Sequence, residues 1–397
     1  MLDVSRRANS ILASPIRKFL PMVLEAGKKG VHVYKINVGD PDISAPKEFW
    51  QGLKKYKGKT LGYAPSAGIQ EHTEAWVKYY KKFGIGLKPQ NIIPTVGCAE
   101  AIMLALMATT DTGDEAIVFE PIYTSYKGFS AMCDITLVPV TLKIENNFSL
   151  PPAKEIEKKI SQKTKAIVVI NPNNPLGSVL SKKEMDVIVK IATKHNLYII
   201  ADETYREIVF SGKPTTFLSY ENAKENVIAL DSISKKFSCP GGRIGSVASF
   251  NKDVMRAILK FAMVRLSAPT LEQYASIPLL LNAERLTQGV TKEYKKRRDI
   301  VYGALKNIPG VVCKEPQGSL YIIAKLPITD AEDLVEFLLK KFNYKNKTVL
   351  VTPAEDFYIT KGLGRNEIRI AYVLNESALK DAMDILQRGI YAFVSKL

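Results

Sequence analysis

"TKAIVVINPNNPLGSVLSKKEMDVIVKIATKHNLYIIADETY", Thr164 to Tyr205, holds two short apolar runs with a helical pattern between them. The runs "KAIVVINP" and "LYIIADE" are near-continuous in Val and Ile, with no alternation of apolar and polar residues. That is the pattern of strands covered on both faces. Between them "KKEMDVIVKIATKH" brings its apolar residues back at helical spacing, which predicts an amphipathic helix. A strand, a helix and a strand in succession form a parallel crossover, and so imply a mostly parallel sheet with helices on each side.

Outward from this unit, the same alternation runs from about 115 to 250. "EAIVFEP", "ITLVPV", "VIALDS" and "IGSVASF" each read as strands of four to six residues. Near Leu279 the pattern changes. A charge-laced helical stretch, roughly 270 to 307, leads to "GSLYIIAKL", "TVLVTP" and "EIRIAYV". These are interleaved with helix-like "DAEDLVEFLLKKF" and close in "ESALKDAMDILQRGIYAFVSK". The expected fold is α/β, in two parts. Residues 41–285 form a three-layer α/β/α large domain with a mostly parallel sheet. Residues 1–40, together with 286–397, form a smaller α+β domain.

Composition narrows the function classes. With 397 residues, 46% hydrophobic and 24% charged, the chain can bury the cores of two such domains. No apolar run approaches the roughly 18 residues of a membrane span, and "MLDVSRRANSILASPIRKF" lacks the apolar core of a signal peptide. Cys98, Cys133, Cys239 and Cys313 are scattered, and the histidines His32, His72 and His195 are isolated. They give neither a metal pattern nor a disulfide framework, and a reducing cytoplasm is the expected setting. A net charge of +16 raises the question of nucleic acid. The lysines, however, are spread through helix-like segments such as "TKEYKKRRDIVYGALKN", with no basic block interleaved with aromatics. A basic surface, or a preference for anionic ligands, is the better reading.

In an open parallel sheet, ligands bind beyond the carboxyl ends of the strands. After "AIVVI" comes "NPNNPLG", after "LYII" comes "ADETY", after "VIAL" comes "DSISKKF", and after "AIVF" comes "EPIY". Asn174, Asp202, Tyr205, Lys235 and Tyr123 are thereby directed to one region. Singly, each has a plain explanation as a turn, a helix cap or packing. Together they offer an amide, a carboxylate, a phenol, an amine and an aromatic face. An anion site adjoins them. Ser232 and Ser234 precede Lys235, Arg243 follows it, and "TVGCAEAI" is a strand-to-helix turn opened by Gly97, whose backbone N–H groups suit a phosphate. Pyridoxal 5'-phosphate needs this set: an amine for its aldehyde, an acid for its ring nitrogen, donors for its 3′-oxygen and an anion cradle.

The chain resembles the class I/II aminotransferases, aspartate aminotransferase-like enzymes of the pyridoxal-phosphate-dependent fold type I. "NVGDPD", "YAPSAGIQE", "TVGCAEAI", "EPIY", "NPNNPLG", "ADETY", "SISKKFSCPGGRIG", "PQGSLY" and "IRIAYV" occur in the family's order over essentially the whole length. By that resemblance Lys235, not Lys236, bonds the cofactor aldehyde, because the family's lysine follows a Ser-x-Ser pair. Lys236→Ala is expected to retain most activity. The resemblance further implies that Asp202 faces the pyridine nitrogen, that Tyr205 and Asn174 hold the 3′-oxygen, and that Tyr123 stacks on the ring. Gly97, the backbone of Cys98 and Ala99, Ser232, Ser234 and Arg243 would hold the phosphate. Tyr63 would reach that phosphate from a neighbouring subunit, in a homodimer with shared active sites. Arg369 would grip the substrate α-carboxylate, helped by Gly39 and Asn174. The implied reaction is ping-pong transfer of an amino group between an L-amino acid and a 2-oxo acid.

The chain departs from the commonest pattern at three points. "GCAE" lacks the hydroxyl often found in the phosphate turn, Ala99 stands where some dicarboxylate-specific relatives carry lysine, and Ala354 stands where glycine is usual. Donor choice stays open between aspartate, aromatic and small neutral amino acids. Two alternatives share these motifs. One is a β-lyase or decarboxylase of the same fold, marked by ammonia or carbon dioxide released without an acceptor. The other is a non-enzymatic aminotransferase-like regulator, marked by salt-sensitive DNA binding.

Overall fold

The structure, a computed structural model, describes residues 2–11 and 17–395. A first strand, β1 (His32–Lys35), stands apart from the main sheet. Seven more follow: β2 (Ile92–Val96), β3 (Glu115–Glu120), β4 (Thr136–Thr141), β5 (Thr164–Ile170), β6 (Tyr198–Asp202), β7 (Val227–Ser232) and β8 (Ile244–Ala248). They form one sheet in the order β2-β8-β7-β6-β5-β3-β4. β8 is antiparallel to both its neighbours, and every other adjacent pair is parallel. β2 is the strand that the apolar pattern understates, because Pro94 interrupts its short run.

The continuous apolar runs are explained by what lies on each face. Ile117, Ile167, Val169, Ile199 and Ala229 share one core with Trp76, Ile188 and Leu279. Their sequence neighbours Val118, Val168, Ile200 and Ile228 share another with Leu104 and Ile258. Successive residues of a strand point to opposite faces, so a sheet with two helical layers needs apolar residues at every position. The crossover helix Lys182–Lys194 starts where the sequence punctuates it. The Ser181 side chain accepts from the Glu184 backbone N–H, and Glu184 reaches back to the Ser181 N–H at 2.9 Å.

The C-terminal part contains β9 (Val312–Cys313), β10 (Tyr321–Lys325), β11 (Lys347–Leu350), β12 (Thr352–Pro353) and β13 (Glu367–Ala371). Four of them form an antiparallel sheet ordered β12-β13-β10-β9. "TVLVTP" is two strands, since β11 pairs in parallel with β1 while β12 pairs with β13. The helical stretch from 270 also divides, into Thr270–Leu281 and Ala283–Lys306, at Asn282. The second helix starts against the core of the main sheet at Ala283 and continues into the C-terminal core at Val290, Tyr294 and Val301. Because β2, β3, β5, β6 and β7 run the same way, the residues that follow them gather at one sheet edge.

Candidate active site

β7 ends at Ser232, and the turn beyond it carries Lys235 into a cavity of about 610 Å³. The Lys235 amine donates to the Gly39 carbonyl at 2.6 Å. A side chain at 39 would collide with the Tyr321 hydroxyl, since a Cβ there would lie 1.9 Å from it. Burial lowers the Lys235 pKa from 10.5 to about 8; Asp40 opposes the shift, while Arg369 and Arg243 add to it. Burial thus enlarges the neutral fraction of the amine near neutral pH, where the ammonium still predominates, and the neutral form is the one that acts as a nucleophile or base.

Asp202 closes β6 and lines the same cavity. Its Oδ1 accepts from the Thr204 hydroxyl at 2.7 Å and the Thr204 N–H at 3.2 Å, and the Cys98 thiol lies at 3.6 Å. Tyr126 donates to Oδ2 at 3.4 Å. Burial raises the Asp202 pKa, while the Thr204 and Cys98 donors hold it down. A cation placed at this carboxylate would favour the ionised form. Tyr205 lies beside it, 3.0 Å from the Tyr321 hydroxyl, and burial keeps Tyr205 a protonated phenol.

A third edge is suited to an anion. Ser232, Ser234 and Arg243 line the cavity with Cys98 and Ala99, the opening residues of helix Gly97–Thr109. Ser234 N–H donates to Ser232 Oγ at 3.3 Å. Arg243 bonds the Pro240 carbonyl at 2.8 Å and the Val96 carbonyl at 3.4 Å. Glycine is required beneath it. Gly97 has φ +68°, and a Cβ there would lie 2.5 Å from the Arg243 Nη2. A Cβ on Gly245 would lie 2.6 Å from the Gly97 carbonyl carbon. Two small residues thus leave the helix start open to the cavity.

Arg369, on β13, enters from the C-terminal core and is almost fully buried. Its guanidinium donates to Asn174 Oδ1 at 3.1 Å and the Asn37 carbonyl at 2.5 Å, between the rings of Tyr321 and Phe357. Its Nε has no hydrogen-bond partner among the described residues. An arginine buried without a carboxylate, and with an unused donor, is a ready receptor for one.

The strand-end residues Tyr123, Asn174, Asp202, Tyr205 and Lys235 all line this one cavity. Tyr63 does not; it is 82% exposed, outside its own chain's cavity. Ala354 has φ −98°, so the usual glycine meets no backbone demand here. Arg17, Asp40, Thr204 and Tyr321 belong to the site but had no role from sequence. Asp40 and Tyr321 lay inside the quoted motifs "NVGDPD" and "PQGSLY", which could have drawn attention to them.

Lys236 has a structural place that its position in the sequence does not signal. It is no spare surface lysine: it is fully buried, with its amine 2.7 Å from Asp231 Oδ1 and 2.8 Å from Glu207 Oε2. Arg206 joins the cluster, 3.1 Å from Asp231 and 2.7 Å from Glu203. Removing Lys236 would strand buried carboxylates, so it carries a structural role whatever the activity of a folded Lys236→Ala protein.

The geometry agrees with comparisons across known proteins. The family described as aminotransferase class I and II matches residues 31–391. The aspartate aminotransferase of Pyrococcus horikoshii is 33% identical over 395 residues, covering 98% of this chain and 97% of that protein. Among solved structures, the Thermus thermophilus aspartate aminotransferase with maleate superposes with a TM-score of 0.89 at 27% identity, covering 98% of this chain and 100% of that one. An alanine aminotransferase from Pyrococcus furiosus gives 0.89 at 29% identity, with the same coverage. Aminotransferases thus match this chain over nearly its whole length, and it belongs to the class I and II family of those enzymes.

Proposed function

We propose that the cavity holds pyridoxal 5'-phosphate on Lys235 and that the enzyme exchanges amino groups between an L-amino acid and a 2-oxo acid by a ping-pong route. The observation that carries the reading is the buried, partly neutral Lys235 amine, in one cavity with Asp202 and the unsatisfied Arg369. The donor set fits the cofactor. Asp202 would pair with the ring nitrogen, Tyr205 and Asn174 would hold the 3′-oxygen, and Tyr123 would cover the ring. The glycine-lined start of helix Gly97–Thr109, with Ser232, Ser234 and Arg243, would take the phosphate.

When bound, the cofactor supplies an aldehyde for the amino group and a ring that accepts the electron pair left at Cα. Arg369 binds the α-carboxylate and fixes the Cα–H direction. Lys235, freed as an amine, removes the Cα proton from the donor and, in the second half-reaction, returns one to the acceptor. Asp202 would be held ionised, against its burial, by a protonated ring nitrogen beside it. Arg17 and Asp40 are the cavity's remaining charged side chains. A cation there supports a dicarboxylate as one of the substrates. The Thermus enzyme, solved with the dicarboxylate maleate, supports the same choice.

The same reading includes a homodimer. Trp50, Leu61, Tyr63, Val264 and Leu266 are exposed. The 61–66 loop is tied to the 266–270 segment by the Ser66 hydroxyl to the Leu266 carbonyl and the Thr270 hydroxyl to the Gly62 carbonyl. A second copy covering this apolar surface would bring Tyr63 to its partner's site. We take 41–285 and 1–40 with 286–397 as the two domains. The four free cysteines are in keeping with the cytoplasm, and no helix among the described residues is long and apolar enough to cross a membrane.

The test is the visible spectrum of the purified protein before and after single amino acids are added without an acceptor. Conversion of the band establishes half-transamination and identifies the donor. A persistent band with ammonia or carbon dioxide release points to lyase or decarboxylase chemistry. No band after added pyridoxal phosphate removes the cofactor reading.

A further inference from the structure

Behind the Lys235 turn lies a second cavity, of about 900 Å³, between the main sheet's helices and helix Ala283–Lys306. Phe83, Phe210 and Pro214 supply apolar wall. Lys213, Lys292 and Lys295 stand at its rim, exposed and without an ion-pair partner among the described residues. Lys82 also lines it, with its amine on the Leu281 carbonyl at 3.1 Å. Of the two acids that line it, Glu284 and Glu207, the second is already neutralised by Lys236 at 2.8 Å. The surplus is cationic, over an apolar floor. That combination fits a small organic anion with an apolar body.

The cavity also lies two contacts from the amine. Glu207 lines it and holds Lys236, the residue next to Lys235 in the chain. A second connection runs along the long helix, whose Thr291 hydroxyl donates to the Glu207 carbonyl at 2.9 Å. Further along, Arg297 pairs with Asp42 at 2.6 Å, three residues beyond the Gly39 carbonyl that accepts from Lys235. A ligand that draws Lys292 or Lys295 inward acts on the helix that carries both contacts.

We propose that this cavity is a second ligand site, for an amphipathic organic anion, whose occupancy is felt at Lys235 through Glu207 and Lys236. Coupling of this kind requires that the ligand's affinity and the state of Lys235 depend on each other.

The probe is naphthalene-2-sulfonate, which has an apolar body and an anionic head but no amino or oxo acid group to react. Its binding to the holoenzyme is measured by calorimetry, and its effect is read as the pH at which the visible band of the bound cofactor titrates. The expected results are saturable binding, weakened roughly fivefold or more by Lys292→Glu with Lys295→Glu, and a band titration that shifts only while the probe is bound. Gln288→Trp, which fills the cavity without changing its charge, should weaken binding as well. Binding unaltered in both variants would put the probe elsewhere and overturn the proposal. So would binding without a spectral shift. The calorimetric arm needs no cofactor chemistry, so its failure is distinct from failure of the cofactor reading.

Discussion

The Lys236 amine lies 2.7 Å from Asp231 Oδ1, and this buried pair brackets the turn that presents Ser232, Ser234 and Lys235 to the cavity. Asp231 is the next-to-last residue of β7 and Lys236 follows Lys235 directly. The turn is thus fixed at both ends by one ionic contact, with Glu207 and Arg206 part of the same buried cluster.

Lys236→Ala leaves Asp231 and Glu207 with an uncompensated buried charge. The expected loss is about 3–5 kcal/mol of stability, the usual consequence of removing one partner from a buried pair. Denaturant unfolding measures it, and Lys236→Ala with Glu207→Gln should recover part of the loss. A single variant within about 1 kcal/mol of the parent would mean that the cluster relaxes or admits water. Lys235→Ala should behave in the opposite manner, keeping the fold and losing turnover entirely.

The lowered Lys235 pKa gives a pH prediction with a definite sign. The neutral amine is the form that attacks an aldehyde, so capture of cofactor by the cofactor-free protein should accelerate as pH rises through about 8 and then level off. Asp40 favours the ammonium, so Asp40→Asn should move that midpoint down. The same shift predicts stability. Below about 8 both folded and unfolded chains hold the proton and the burial penalty is fully present. Between about 8 and 10.5 only the unfolded chain holds it, so this group's contribution improves as pH rises. Stopped-flow absorbance reads the midpoint, and a value near 10.5 in both proteins would refute the assignment.

What the sequence made legible depends on how local each signal is. Asn174, Asp202 and Lys235 follow apolar runs directly, and parallel strands necessarily send such residues to one edge. Arg369 is interior to a strand of another core, and only the family resemblance connected it with them. Tyr126 acts through Asp202 from a separate element, a contact that no spacing encodes, while Thr204, two residues after Asp202, bonds it locally. The burial of Lys236 is similar, since its partners Glu207 and Tyr79 come from distant segments and meet it only in the fold. The break at Asn282 escaped because the mostly apolar helix Thr270–Leu281 passes directly into the charge-laced Ala283–Lys306, with no glycine or proline at the junction.

Substrate recognition should separate two arginines. Arg369→Lys loses a two-pronged grip on every α-carboxylate, so kcat/KM should fall roughly 100-fold for all amino donors. Arg17 is exposed at the cavity and has no assigned role in holding the cofactor. Arg17→Gln should raise KM for dicarboxylates roughly tenfold while leaving neutral donors unchanged. Steady-state kinetics with aspartate, alanine and phenylalanine decides it, and equal losses for all three would remove Arg17 from side-chain recognition.

Tyr63 supplies the most direct test of shared sites. It is 82% exposed and outside its own cavity, among apolar residues that a second copy would cover. If it acts on the partner's phosphate, an inactive Tyr63 variant mixed with a Lys235 variant forms hybrid dimers with one doubly damaged site and one intact site. Random exchange makes about half the dimers hybrids, each with one working site of two, so activity should return to about a quarter of the parent value. Differently tagged subunits report exchange independently of activity. Full exchange with no recovery would mean that each chain builds its phosphate site alone, leaving the exposure of Tyr63 to be explained by the dimer contact itself.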